Sequence, residues 1–207
     1  MPQLYLLRHG KISLSLTPRR FIGQTDIALS GEGIELAKQW AEILKQMSID
    51  TVITSPLRRC RLTADIICRE SDLKPIVDKR FSEINLGDWE GMEMETIKST
   101  RPDDWEIRGK NMAGFRPSAG ESFSDLAHRM NQGLRRQEII SSDKVLIVTH
   151  AGVVRTLVCK SRGISLDSLF TVESNPGHMT IINWQKQDTQ VTGLNIDPNN
   201  FLKSQLP

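Results

Sequence analysis

The chain has 207 residues, of which 38% are apolar and 25% charged, with a formal net charge of +2. That length suits one α/β domain with a full core, and the composition excludes disordered and fibrous classes. The small, dispersed charge excludes a nucleic-acid footprint, and no apolar run approaches the ~20 residues of a membrane helix.

Neither nucleic acid nor membrane is therefore expected as a partner, and a cytoplasmic location is. Cys60, Cys68 and Cys159 lack a Cys-x-x-Cys spacing and predict reduced thiols rather than a disulfide framework or a zinc site.

Gln3 to Leu7 is a short apolar run that stops at Arg8-His9-Gly10, the pattern of a buried strand ending in a loop. A helix is predicted after Leu29, with Ser30 as its cap and Leu29 and Ile34 as a hydrophobic staple. Leu36, Trp40, Ile43, Leu44 and Met47 form its apolar stripe. Asp50 to Thr54 reads as a second strand. Ser55-Pro56 predicts a helix start, Ser as cap and Pro at the first helical position, with the helix running to about Glu70.

Pro75 to Val77 predicts a short third strand. Gly91 to Gly120 mixes Met, Trp, Pro, Gly and charge, and is expected to form a partly helical cap. Phe123, Ala127, Met130 and Leu134 then trace a helix face. Lys144 to Val148 is a second fully buried strand, ending at Thr149-His150-Ala151-Gly152, and Val153 to Ser161 is the following helix. His178 to Trp184 and Val191 to Ile196 predict two last strands, joined as a hairpin around Gln185 to Gln190. This alternation predicts an α/β fold: a single domain over 1–207 in three α/β/α layers, with a mostly parallel central sheet and a small cap insertion at 91–120.

His9 and His150 each sit just past a buried strand and just before a glycine. Ligands of open α/β sheets bind outside the carboxyl ends of the strands, so a pair of histidines in equivalent positions marks a candidate site. Arg8 adds forked donors that match phosphate oxygens. Arg58 and Arg59 open a predicted helix whose amide dipoles already favour anions. Together these residues predict a phosphate pocket.

Five blocks carry a resemblance. They are Leu6-Leu7-Arg8-His9-Gly10, the run from Ser55 to Ala64, Glu83 with Gly87-Asp88-Trp89-Glu90-Gly91, Gly120-Glu121-Ser122, and Val148-Thr149-His150-Ala151-Gly152. In this order the chain resembles the histidine phosphatase superfamily, also called the phosphoglycerate mutase-like family. The resemblance implies that His9 is the nucleophile, Arg8 and Arg59 bind phosphate, Glu83 is the proton donor and His150 is the second pocket histidine. It also implies Gly23 and Gln24 as pocket residues, while Arg58, Arg61 and Arg69 are expected on the surface. Lys11-Ile12 departs from the family pattern of Glu or Gln followed by Thr or Ser.

The residue types suit that chemistry. A neutral imidazole attacks phosphorus without a metal when fixed cations offset the substrate's charge. Arg8, Arg59 and His150 would supply that offset. Glu83 would protonate the leaving oxygen and later accept a proton from water. No cofactor and no metal ligand set is expected. The expected partner is a small phosphorylated metabolite, and homo-oligomerisation is left open.

The leading reading is a metal-independent phosphomonoesterase working through phosphohistidine, with α-ribazole phosphate as one candidate substrate. Phosphoglycerate mutase is the alternative. The altered Lys11-Ile12 loop motivates a reading from another class, a catalytically weak phosphate-binding or interaction protein. Cys60, next to the pocket, is expected to be oxidisable. His128 and His178 are expected to be structural or solvent-facing. Trp105 in the cap is weighed as a substrate platform, with cap packing the favoured role.

Overall fold

The computed structural model describes residues 2–15, 17–185 and 189–204. Its sheet has six strands: β1 (Gln3–Arg8), β2 (Thr51–Thr54), β3 (Ile76–Val77), β4 (Lys144–Thr149), β5 (Met179–Asn183) and β6 (Gln190–Ile196). Their order is β3-β2-β4-β1-β5-β6. The four strands from β3 to β1 run parallel, whereas β5 is antiparallel to both β1 and β6. The helices are α1 (Gly31–Leu44), α2 (Arg58–Cys68), α3 (Met94–Thr100), α4 (Pro102–Lys110), α5 (Phe123–Leu134), α6 (Gln137–Ile140), α7 (Ala151–Arg162) and α8 (Pro198–Ser204).

Alternation along the central strands fills both faces. In β1, Leu4 and Leu6 join a core with Ile147 of β4 and residues of α5 and α7. Tyr5 and Leu7 point the other way, packing with Val148, Trp40 of α1 and Cys60 of α2. Helices thus cover a sheet that is apolar on both sides, and truncating a fully buried residue such as Leu6 to Ala would cost about 2–5 kcal/mol.

Register places the site. β1 and β4 pair from Gln3↔Lys144 to Arg8↔Thr149, so their carboxyl ends finish side by side. The His9 amide continues that ladder onto the Thr149 carbonyl at 3.0 Å. His9 and His150, far apart in sequence, are neighbours for this reason.

Ser30 caps α1 as predicted, accepting from the Gly33 amide at 3.2 Å. The start of α2 differs from the sequence expectation. Leu57, not Ser55, is its cap residue, and the helix opens at Arg58. The Ser55 hydroxyl instead accepts from the Leu57 amide at 3.3 Å and pairs with Nε2 of His150 at 2.7 Å, so Pro56 lies in a turn before the helix. The helix also stops at Cys68, short of Glu70. The terminal helix α8 was not expected; its Phe201 packs edge-on against Trp40 at 5.4 Å. The connection predicted around Gln185 to Gln190 includes residues 186–188, which lie outside the described residues.

Within 91–120, α3 and α4 lean on a small cluster of Phe21, Trp89 and Ile97, to which Met94, Trp105 and Phe115 add their side chains. Among the described residues no helix is long and apolar enough to cross a membrane.

Candidate active site

A cavity of about 320 Å³ opens at the carboxyl ends of β1 and β4. His9, only 7% exposed, forms part of its floor. The Nδ1 of His9 lies 2.7 Å from the Gly10 carbonyl oxygen, which can only accept. Nδ1 therefore carries the proton and Nε2 the lone pair. Burial, followed by the charges of Arg59 and Arg8, holds the His9 imidazole well below the usual histidine range. Both effects favour a neutral ring with its lone pair on Nε2.

Arg59, at the second position of α2, spends all three nitrogens on this corner. Nε donates to His9 Nε2 at 3.2 Å, and the terminal nitrogens donate to the carbonyls of Thr25 and Gly23 at 2.8 and 2.7 Å. Arg8 donates from one terminal nitrogen to the Ser174 carbonyl at 2.5 Å. Its Nε is buried and, among the described residues, has no partner. Desolvation brings Arg8 down to about 10, with repulsion from Arg155 and Arg59 adding to the effect and Glu83 opposing it.

Glu83 follows a 3-10 turn over Lys79–Phe81 that is capped by Asp78. Its oxygens accept from the Ile84 amide at 3.0 Å and from the Gly152 amide, in the first turn of α7, at 3.1 Å. A Cβ at position 152 would stand 2.2 Å from Glu83 Oε1, so only glycine admits the carboxylate there. Glu83 lines the cavity together with Arg8, His9 and Arg59.

The structure refines several expectations. His150 is fully buried and does not line the cavity; its ring meets that of His9 edge-on, with centroids 5.1 Å apart. Burial and the neighbouring His9, Arg59 and Arg8 hold it, too, well below the usual histidine range. Gly23 and Gln24 do not line the cavity either. The Gly23 carbonyl holds Arg59, and the Gln24 side chain donates to the Glu83 carbonyl at 2.9 Å. Both residues therefore position catalytic candidates.

At the departure from the family pattern, Lys11 pairs with Glu32 at the surface while Ile12 lines the cavity. Arg58, Arg61 and Arg69 are exposed, as is His128. His178 bonds from Nδ1 to the Asn195 carbonyl at 2.9 Å. Trp105 packs in the cap cluster rather than facing the cavity.

Cys60 corrects its expectation. It is fully buried, burial pushes its thiol well above the ordinary range, and its Sγ lies 3.4 Å from both the Thr149 carbonyl and His150 Nε2. Proximity to the pocket gives it neither thiolate character nor access, so it is not a reactive thiol.

Sequence reasoning did not single out Glu90. Its carboxylate accepts from the amides of Gly23, Gln24 and Thr25, from the Thr25 hydroxyl and from the Leu86 amide, at 2.6 to 3.3 Å. A carboxylate two residues after Asp88, in a block already notable for Trp89, was the available signal. Arg20, Arg108 and Arg155 also line the cavity, along with Phe21, Phe115 and Phe170.

A histidine with an unprotonated ring nitrogen, arginine donors and a carboxylate gathered at one cavity are the groups that phosphoryl transfer of the histidine type requires. Residues 4–197 match the model of the histidine phosphatase superfamily (branch 1), and the chain belongs to that family. Its activity is of the phosphatase or mutase-like type. It is 33% identical over 166 residues to a probable phosphoglycerate mutase GpmB of Erwinia tasmaniensis, covering 79% of this chain and 76% of that one. It is 26% identical over 197 residues to phosphoserine phosphatase 1 of Hydrogenobacter thermophilus, covering 95% and 93%. The crystal structure of the α-ribazole phosphatase of Shigella flexneri superposes with a TM-score of 0.83 at 24% identity, over 93% of this chain and 96% of that one, which shows the shared fold.

Proposed function

We propose that the chain is a metal-independent, cytoplasmic phosphomonoesterase that works through a phosphohistidine on His9. The observation that carries this reading is the fixed tautomer: Nδ1 is committed to the Gly10 carbonyl, so Nε2 presents a lone pair beside Arg59. As substrate enters, the Arg59 Nε–H turns from His9 Nε2 to a phosphoryl oxygen and frees the lone pair. Nε2 then attacks phosphorus, the bond from phosphorus to the ester oxygen breaks, and Glu83 gives that oxygen its proton. Arg8 and Arg59 hold the phosphoryl oxygens as charge moves onto them. Water then attacks the phosphohistidine while Glu83 takes its proton, releasing inorganic phosphate and restoring neutral His9. His150, packed against His9, keeps the ring in place.

The test is His9→Ala. Labelled substrate should give wild type an acid-labile, alkali-stable label, and the variant neither label nor turnover; label surviving in a folded variant sinks the assignment. α-Ribazole phosphate, suggested by the fold likeness to the Shigella enzyme, belongs in the substrate panel beside phosphoserine.

The similarity to the GpmB relative favours phosphoglycerate mutase as a second reading. Phosphorylation by bisphosphoglycerate coupled to isomerisation supports the mutase, and drainage of the phosphoenzyme to water supports the phosphatase.

A further inference from the structure

The cavity wall holds two arginines that the reaction above does not use, Arg108 from α4 and Arg155 from α7. Arg108 Cζ stands 5.4 Å from the ring centroid of Phe21, 5.9 Å from that of Trp105 and 5.7 Å from that of Phe170. Arg155 Cζ stands 5.3 Å from the same Phe170 ring. Ring faces attract a cation but leave its in-plane N–H groups unbonded. Among the described residues Arg108 donates no hydrogen bond, Arg155 donates only from Nε to the Val172 carbonyl at 3.0 Å, and neither has a carboxylate partner. Two donor forks therefore remain open at one aromatic ring.

Charge points the same way. Of the charged residues lining the cavity, Arg20 is paired with Glu93 and Glu121 with Arg129. That leaves Arg8, Arg59, Arg108 and Arg155 against Glu83. A phosphomonoester dianion together with Glu83 neutralises three of these four cations. One is left without a counter-ion, in a space walled by Leu86, Met112, Phe115 and Phe123. Desolvation lowers both guanidiniums from the usual arginine range, unopposed at Arg108 and partly offset at Arg155 by the charge of Glu83.

We propose that Arg108 and Arg155 form a second anion subsite, so that the preferred substrate is a phosphomonoester whose apolar body ends in a further carboxylate or phosphoryl group. This rests on the reading of His9 as the phosphate-accepting end of the same cavity. The two charges come from separate elements, the cap helix α4 and the core helix α7, so the subsite is complete only when the cap lies against the core. Esters ending in a neutral ring system would be poorer substrates than their anionic counterparts.

The experiment uses the full chain and three aryl esters: 4-carboxyphenyl phosphate, 1,4-phenylene bisphosphate and the uncharged isostere 4-carbamoylphenyl phosphate. kcat/KM is measured for wild type, Arg108→Met, Arg155→Met and Arg108→Lys. Both arginines are only partly buried, so the variants should fold. Wild type should favour a charged ester over the isostere by on the order of 10–100-fold, the range of a charge-assisted hydrogen-bond pair. The methionine variants should bring that ratio toward one, and Arg108→Lys should keep part of it. The ester whose advantage falls more tells carboxylate from phosphoryl. Turnover of the isostere with no preference for either charged ester, or a preference that survives in both methionine variants, overturns the subsite and leaves the His9 reading standing. Failure to turn over any ester, with no label on His9, overturns both.

Discussion

Arg59 donates from Nε to His9 Nε2 at 3.2 Å, so the residue that would hold the phosphate also holds the lone pair that would attack it. The same guanidinium grips the Gly23 and Thr25 carbonyls, whose flanking amides are in turn held by Glu90. Carboxylate, loop and guanidinium form one chain of charge-assisted hydrogen bonds that ends at His9.

Glu90→Gln should therefore weaken phosphate binding without touching the cavity. An amide nitrogen in place of one oxygen faces amide donors it cannot accept, a loss of about 1–3 kcal/mol that leaves the Arg59 loop unfixed. Affinity for orthovanadate, a phosphoryl mimic, should fall on the order of 10–100-fold, while the melting temperature falls by only a few degrees. Unchanged vanadate inhibition in a less stable protein would reduce Glu90 to a structural role.

The buried imidazoles predict how stability responds to pH. Both His9 and His150 are held well below the ordinary value of 6.5. In the window between the folded and unfolded values the unfolded chain binds protons that the folded chain refuses. This stability is fully present above about pH 6.5 and is lost as pH falls through that value toward the lower folded ones. Denaturant midpoints at pH 7.5, 6.5 and 5.5 should decline, most steeply over the last step, and His150→Asn should flatten the decline. A midpoint that rises on acidification contradicts the neutral assignment of both rings.

The parts of the site legible in sequence are those fixed by local pattern. Two apolar runs ending in His9 and His150 gave β1 and β4, and parallel pairing of their ends follows from the fold class. Ser30 worked as a cap because its hydroxyl oxygen accepts from the Gly33 amide three residues on, a bond that its further bonds to the Lys11 carbonyl leave intact. Ser55 did not, because its hydroxyl is claimed by His150, a residue 95 positions away. The same holds for Glu90 and the 23–25 loop, and for Gly152, whose missing Cβ makes room for Glu83. Arg108 reads as an ordinary helix charge until Phe21 and Phe170, from distant segments, join its α4 neighbour Trp105 around it. Contacts between distant segments, which no periodicity records, decide each of these cases.

Activity should persist in a chelator. The charges around His9 come from Arg8 and Arg59, which would do for a phosphate dianion what a divalent cation does in a carboxylate-lined site. Assays in excess EDTA, after dialysis against it, should retain nearly all of the wild-type rate. Loss of activity restored by magnesium or zinc would refute this account of the electrostatics.

Glu83→Gln separates general acid catalysis from a structural role. Glu83 sits at the cavity with its two oxygens steadied by the Ile84 and Gly152 amides, and its assigned task is to protonate the leaving oxygen. A nitrophenolate needs little help to leave, whereas an alkoxide needs a proton. The variant should therefore slow an alkyl phosphate far more than nitrophenyl phosphate, by a differential on the order of the 10²–10⁴-fold typical of general acids. The substitution has a structural cost as well, because the new amide group faces a backbone N–H in a site built for a carboxylate. That cost, about 1–3 kcal/mol for an unsatisfied buried donor, is common to both substrates and cancels in their ratio. Single-turnover measurement keeps a slowed dephosphorylation step, where Glu83 acts as base, from masking the first transfer. Equal losses for both esters would place the proton donor elsewhere, and Glu121, the other carboxylate on the cavity wall, would be the first residue to replace.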